Sequence, residues 1–509
     1  MKRGILMNAL QKTAFAAAAV FLFSGAGNVL PVQNIVCAAE ANVMDGMKYE
    51  EADGEITITG YTADLPKELE IPAEIGGKPV TRIGAYAFAN SRLESVMIPE
   101  GVKEIGNNGF TFCLSLKSVT LPESIVRVGD HAFSETRWLD AMRKESSMVI
   151  VQHVLLDAQY IYDQEHITIP DDVRVVGGGA FRCSSMKTVT IPESVRDIGN
   201  FAFSNCENLE SVVIPDQVTE IGASAFFDCV SMQSITLPTN LRTIGEMAFA
   251  SCKALQSLEI PAGVMEIPPR AFYGCYALTE VTLPETVTSI GEWAFFNCYS
   301  LLKCVLPQNL KEIGDNSFNC CAELESPVLP ETLTVIPECA FSFCNRLTEI
   351  TVPAAVQQIG NEAFWKCEGL QRLTVLNPDC KLFDTPTTVS DQMDGGFSGV
   401  IAGYTGSEAQ KYAEKYGYAF ESLGDAPAPV RGDLSGDGKI GADDAQITLQ
   451  AYVRTLSGRE PALTGRQKAA ADTNGDACID IADAQLILRY YTAQLSGKTV
   501  TWDALIPVS

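Results

Sequence analysis

The chain has 509 residues, 46% of them apolar and 20% charged, which is the composition of a folded protein rather than a disordered one. A formal net charge of −26 argues against nucleic acid or an anionic membrane surface as partner, because both are bound through basic surface. At this length the chain holds several domains unless it is built of repeats, and its acidity suits a secreted protein or one that binds calcium.

Residues 1–39 read as a signal peptide. Lys2 and Arg3 form the basic start, and "FAAAAVFLF", Phe15 to Phe23, is an apolar core too short to remain as a membrane span. Cleavage is expected after Ala39 in "VCAAE", with a cut after Ala26 as the alternative. No second hydrophobic span and no hydrophobic C-terminal tail follows, so the mature protein is expected to be secreted and without a membrane span.

A repeat then occupies most of the chain. "IGAYAF" at 83–88 returns as "IGNFAF" at 198–203, "IGASAF" at 221–226, "IGEMAF" at 244–249 and "IGEWAF" at 290–295. With close variants, the phenylalanines fall at 88, 110, 133, 181, 203, 226, 249, 272, 295, 318, 341 and 364, nearly always 22 or 23 residues apart. In the period from Leu209 to Cys229, Leu209, Val212 and Ile214 alternate as the inward face of a strand that the following proline ends. A second short strand, "VTEI", leads to Gly222, and "ASAFFDC" turns back toward the next leucine. One period cannot bury its apolar face alone, so twelve to fourteen rungs are expected to stack into a continuous core. The one step of 48 residues spans about 134–180 and holds Trp138 and "SMVIVQHVLLDAQYIYD", expected as a hairpin beside a degenerate rung.

Pro268 and Pro337 replace the glycine that precedes "xxAF". Proline cannot adopt positive φ, so close packing rather than a left-handed backbone is the expected reason for glycine there. Cysteines follow the same period: Cys113, Cys206, Cys229, Cys252, Cys275, Cys298, Cys321, Cys344 and Cys367 lie three residues after the phenylalanine, and Cys183 two after. A disulfide framework or a metal site is one reading. Buried thiols packing as small hydrophobes is the favoured one, because they track the structural period.

Outward strand positions form two columns of mostly small β-formers, Thr190 to Thr374 and Ser211 to Arg372, with no aromatic row for stacking sugar rings. Trp293 and Trp365 stand in the variable pair before and just after "AF", where packing is the simpler role. The histidines, His131, His153 and His166, lie in or beside the long step without an HExxH, GxSxG or CxxC motif. No catalytic residue is expected. The competing reading places a peptidase or a peptidase inhibitor in the solenoid or its insertion.

The pattern LxxIxIPxxVxxIGxxAFxxC resembles the BspA-type leucine-rich repeat family over about residues 55–376. The resemblance implies a mostly β leucine-rich repeat solenoid over 40–376 and a C-terminal cap over 377–424, with a short helix from Glu408 to Tyr416. It also implies adhesion or protein–protein contact, with an unknown protein or glycan as the solenoid's ligand.

After a Pro-containing linker, "DAPAPVR" at 425–431, comes "DLSGDGKIGADD", Asp433 to Asp444. Oxygen-bearing residues at the first, third, fifth and twelfth positions, with glycine at the sixth, are what a loop wrapping a hard cation requires. The candidate ligands are Asp433, Ser435, Asp437 and Asp444, with the carbonyl of Lys439; Ile440 anchors the loop. "DTNGDACIDIAD" repeats the spacing with Asp472, Asn474, Asp476 and Asp483, the carbonyl of Cys478 and the anchor Ile479. Each loop runs into a matching stretch, "DDAQITLQAYVRTLSG" and "ADAQLILRYYTAQLSG", so the segment is an internal duplication.

Two such loops ending in Asp, each followed by a helix with none before it, resemble a type I dockerin over about 432–497, leaving 498–509 as a tail. The resemblance implies a small all-α calcium-binding domain that takes two Ca2+ ions and docks on the cohesin module of a scaffoldin. Carried over residue by residue, partner contact falls on Ala442, Asp443, Leu449 and Gln450 in the first half, and on Ile481, Ala482, Leu488 and Arg489 in the second. Ala477 departs from the pattern, because it stands where the second loop is expected to have glycine.

Overall fold

The computed structural model describes residues 42–161, 164–436, 438–461 and 463–505. The expected signal peptide and Asp437 lie outside the described residues.

Each rung has three sides. In the rung of Phe226, Ser211–Val213 is the first strand, with Val212 buried between exposed neighbours. Glu220–Ile221 is the second strand, and the third side is the turn segment from Gly222 to Cys229. Equivalent strands of successive rungs pair in parallel, one period out of step. Ser211, Val212 and Val213 lie against Ser234, Ile235 and Thr236, and Glu220 and Ile221 against Thr243 and Ile244. The solenoid has about 16 turns with a period near 23 residues, more than the repeat phenylalanines alone predict. The excess arises because both ends wind with it. Glu55–Tyr61 pairs in parallel with Lys78–Ile83 at the start, and Arg372–Val375, Val400–Thr405 and Ala419–Asp425 pair in succession through the cap. The cap helix spans Glu408–Tyr416 as expected, N-capped by Ser407 and ended by Gly417 in the left-handed conformation.

On the turn side the backbone enters the left-handed region twice per rung, two residues before and two after the phenylalanine. Around Phe226 these are Ser224 (φ 52°) and Asp228 (φ 57°); around Phe249 they are Met247 (φ 57°) and Ser251 (φ 61°). Alternating conformations aim alternate N–H groups in different directions. Those of Ser224, Phe226 and Asp228 donate to Glu246, Ala248 and Ala250 of the next rung, each at 2.8 Å. Those of Ala225, Phe227 and Cys229 donate back within their own rung at 3.1–3.3 Å. With both sets of donors satisfied, the turn tolerates left-handed Phe201 and Trp293, at a cost of roughly 1 kcal/mol or more each.

The glycine ahead of this turn is needed for space, as its replacement by proline implies. A Cβ on Gly222 would lie 2.5 Å from the Asn200 nitrogen, and one on Gly245 would lie 2.3 Å from that of Ala223. The prolines at this position cost a backbone hydrogen bond. The Gly222 N–H donates to the Ile198 carbonyl at 2.9 Å, a bond Pro268 and Pro337 cannot make. The second sheet breaks between Thr243–Ile244 and Glu266–Ile267, and again between Glu312–Ile313 and Val335–Ile336. Pro327 takes an inward strand position, and the first sheet stops at Lys303–Val305 and resumes at Glu349–Val352.

The repeat phenylalanines stack through the core with centroids 5.1 Å (Phe203–Phe226) to 5.7 Å (Phe341–Phe364) apart and nearly parallel planes. Within the long step, Val149–Val151 and Val154–Asp157 form the expected antiparallel pair. Ahead of them Arg137–Glu145 is a helix, N-capped by Thr136, that the sequence reading did not foresee.

All fifteen described cysteines are free. The thiols three residues after the phenylalanine are buried, as the packing reading expects, and they also donate; Cys183, two after, is exposed. Cys229, Cys252 and Cys275 give their Sγ–H to the carbonyls of Phe203, Phe226 and Phe249, one rung back, at 3.1, 3.2 and 3.2 Å. Where the thiol is missing a hydroxyl stands instead: Ser91, Thr136 and Ser184 each lie three after their phenylalanine. Burial lifts Cys229, Cys275 and Cys367 from the usual thiol range near 9 to about 12. Each thiol therefore holds its proton in the fold at a pH where the unfolded chain releases it. The thiols' contribution to stability should be constant below about pH 9 and fall as pH rises from there toward 12, and Cys275→Ser should make that fall shallower. Chemical denaturation as a function of pH checks this; an alkaline limb unchanged by the substitution would contradict it.

Candidate functional site

The strand columns lie outward as the alternation requires, with Val213, Val305 and Val328 among the most exposed apolar side chains. Aromatic side chains gather on the turn side instead. Trp293 lies against Phe296 (4.6 Å), Tyr273 stacks on Phe296 (5.2 Å), Tyr276 pairs with Tyr299 (5.3 Å), and Trp365 meets Phe343 edge-on (5.0 Å). The sequence signal is the set of positions two before and one, two and four after the repeat phenylalanine. The histidines are tied into the fold: His131 Nδ1 to Asp130 (2.8 Å), His153 Nε2 to the Ile125 carbonyl (2.7 Å) and His166 Nδ1 to the Thr188 hydroxyl (2.7 Å).

The duplicated C-terminal segment folds as a small helical module. Ala442–Leu456 and Ile481–Leu495 are helices of equal length, each ending at a serine followed by left-handed glycine, Gly458 (φ 74°) and Gly497 (φ 72°). They pack over a core of Leu434, Ala445, Ala470, Ala471 and Ile487, with the anchors Ile440 and Ile479 at its edge. Two expectations need correcting. A helix does precede the second loop, Gly465–Ala471, capped by a box between Thr464 and Gln467. Part of the expected tail packs on the module, because Trp502 stacks on Tyr490 at 4.4 Å and lies over Arg431.

The two loops share their backbone hydrogen bonds to the carboxylates at the first and twelfth positions. At the first position, Asp433 accepts from the N–H groups of Gly436 (2.7 Å) and Gly438 (3.0 Å), and Asp472 from those of Gly475 (2.8 Å) and Ala477 (3.0 Å). At the twelfth, Asp444 accepts from Leu434, Ser435 and Gly441, and Asp483 from Thr473, Asn474 and Asp480, all at 2.8–3.2 Å. Positions four and six are left-handed in both: Gly436 and Gly438 in one, Gly475 and Ala477 (φ 64°) in the other.

The donor set suits a hard cation, since every candidate ligand is an oxygen. Asp444 and Asp483 are 1% and 0% exposed, and among the described residues no ion pair reaches either. Burial pushes both carboxyls up from the usual range, which is the situation a bound cation relieves. Their oxygens face backbone N–H groups, and among the described residues no three acidic, histidine or cysteine side chains already converge. Asp433, Ser435, Asp444 and the Lys439 carbonyl would hold an ion in the first loop; Asp472, Asn474, Asp476, Asp483 and the Cys478 carbonyl would hold one in the second. Of the candidate partner residues, Ala442, Asp443, Leu449, Gln450, Ile481, Leu488 and Arg489 are exposed and Ala482 is half-buried. Arg466 joins Asp379 of the cap at 3.4 Å, beside a cavity of about 350 Å³ between Ala354, Asn377 and the first loop.

A model of the BspA type leucine rich repeat region matches residues 81–156, 157–278 and 265–382, together more than half of the chain. The chain belongs to this family. Among solved structures, it is similar to a leucine-rich repeat protein from Bacteroides ovatus (26% identity, covering 66% of this chain and 94% of that one, TM-score 0.38). It is also similar to a leucine rich cell surface protein from Faecalibacterium prausnitzii (26% identity, covering 75% of this chain and 98% of that one, TM-score 0.33). No curated protein matches. Among the described residues no helix is long and apolar enough to cross a membrane. Within this BspA-type chain, the family match ends before the helical module, which carries its own signals.

The left-handed Ala477 yields a direct test of the loop geometry. Ala477→Gly removes a strained Cβ, so the module should gain about 1 kcal/mol, seen as a higher thermal midpoint of its helical signal. A lower midpoint would mean that the second loop has a different backbone.

Proposed function

We propose that this BspA-type protein is a secreted, non-catalytic binding protein in two parts. The solenoid presents a rigid surface for adhesion to a protein or glycan. The C-terminal module is a calcium-dependent dockerin that fastens the solenoid to a cohesin on a scaffoldin. The observation that carries the second part is the duplication of the loops in their left-handed positions and in the N–H groups bonded to the first and twelfth carboxylates, each loop followed by a helix of the same length. Chance acidic turns have no reason to repeat in this way. The exposed apolar side chains Leu449 and Val453 on one helix and Ile481 and Leu488 on the other give a partner face of matching character on both halves.

Within this reading, calcium acts by stabilising a domain with little core of its own. Among the described residues of the module eight apolar side chains are buried and five of these are alanine, which is little for an independent fold, so ion binding supplies much of the folding free energy. Adding calcium to the full chain should raise the module's helical signal, and EDTA should reverse it. Asp433→Ala with Asp472→Ala should abolish that response and cohesin binding while the solenoid melt stays unchanged. Calorimetry with calcium and then a cohesin panel decides the matter, and heat from neither titrant would return both loops to ordinary acidic turns.

A further inference from the structure

The solenoid changes character at the 48-residue step. Face-to-face rings run from Phe88 through Phe110 to Phe133 and then stop. Phe133 meets Trp138 edge-on (5.0 Å, 67°), and stacking resumes at Phe181–Phe203 (5.1 Å). The buried apolar side chains divide at the same place, one cluster running from Met47 to Val154 with Val175 and the other from Leu155 to Ala413. The first sheet halts at Ser118–Thr120 and restarts at His166–Thr168. The helix Arg137–Glu145 lies between them, its Trp138 N–H on the Leu116 carbonyl at 2.8 Å.

Ion pairs also cross the interruption. Arg127 donates to Asp197 at 3.1 Å and to Glu220 at 2.6 Å, 70 and 93 residues further along. Arg182 reaches back 52 residues to Asp130 at 2.7 Å, and Asp130 also takes His131. In the uninterrupted stack, ion pairs such as Arg270–Glu246 and Arg346–Glu323 join neighbouring rungs on the exposed surface. At the interruption the carboxylates are largely buried, Asp130 and Asp197 both 11% exposed. This network is incompletely satisfied. Arg143 Nε, Asp157 Oδ1, Arg182 Nε and Asp197 Oδ2 are buried without a partner among the described residues. A buried polar network with missing partners stabilises less than apolar packing of the same volume, while removing one member strands the others.

We propose that the interruption is a joint. The rungs through Phe133 and those from Phe181 are two separate apolar stacks, clasped by the Arg127 and Arg182 ion pairs, and the clasp opens before either stack unfolds. Such a joint lets the N-terminal rungs reorient as one body while the C-terminal stack keeps its shape.

Native-state hydrogen exchange on the full chain tests this. Gly178, whose N–H donates across the joint to the Val128 carbonyl at 2.8 Å, should exchange about tenfold or more faster than Gly245, whose N–H donates at the same distance to the Ile221 carbonyl inside the stack of rings. Arg127→Met should speed exchange further at the joint and leave Gly245 and Ala248 unchanged, while the control Arg346→Met should alter neither. Equal protection at the two places in the unaltered protein would overturn the proposal. So would an Arg127→Met chain whose joint is unaffected or whose exchange quickens uniformly along the solenoid.

Discussion

Everything in the solenoid is subordinate to one distance, the separation of neighbouring rungs. Parallel strands set it near 5 Å, and each other contact has to work at that spacing. Phenylalanine rings in successive rungs stack at 5.1–5.7 Å, a comfortable offset for parallel rings. Thiols reach the phenylalanine carbonyl of the rung before at 3.0–3.3 Å. The column ahead of the turn has room for a hydrogen but not for a methyl group, because from Gly199 to Gly360 the backbone of the rung before passes 2.3–2.7 Å from where a Cβ would be. A side chain that respects this spacing is stabilised twice, from above and below, so damage at one rung spreads mainly to its neighbours.

The same logic separates what was legible in the sequence from what was not. Features imposed by repetition were readable: the phenylalanine and cysteine columns, the inward positions such as Val212, and the glycine whose replacement by Pro268 ruled out a need for positive φ. The cap helix at Glu408–Tyr416 was also readable, since Ser407 and Gly417 mark its ends. Hidden were features whose cause is a backbone alternation common to all rungs. Left-handed positions are filled by Ser224, Met247, Arg270 and Trp293 alike, so no residue preference betrays them. The thiols' donor role was partly signalled by the hydroxyls of Ser91, Thr136 and Ser184 at the vacant positions. The helix at Arg137–Glu145 lies outside the repeat, where the period offers no guidance.

The C-terminal module rests on different physics. Its equal helices bury small residues, Ala445, Ala451 and Ala484 among them, and the large rings that stabilise the solenoid are absent from its core. Its loops are held by carboxylates that accept three N–H groups apiece at the twelfth position, which gives acids at those places a structural use as well as a ligand's chemistry. The loop spacing was legible because ligand chemistry fixes residue types. Trp502 was not, because its partner Tyr490 is recognised only once the chain folds back on itself.

The dependence on rung spacing is tested most directly by removing one ring from the middle of the stack. Phe249 lies between Phe226 and Phe272, 5.6 Å from each and fully buried. Phe249→Ala should cost about 3–5 kcal/mol, with amide protection lost chiefly in the rungs of Phe226, Phe249 and Phe272 and the C-terminal module unaffected. Hydrogen exchange of the variant beside the unaltered chain reads this rung by rung. Unchanged protection in those three rungs would mean that stacking across the rung spacing does not hold the solenoid together.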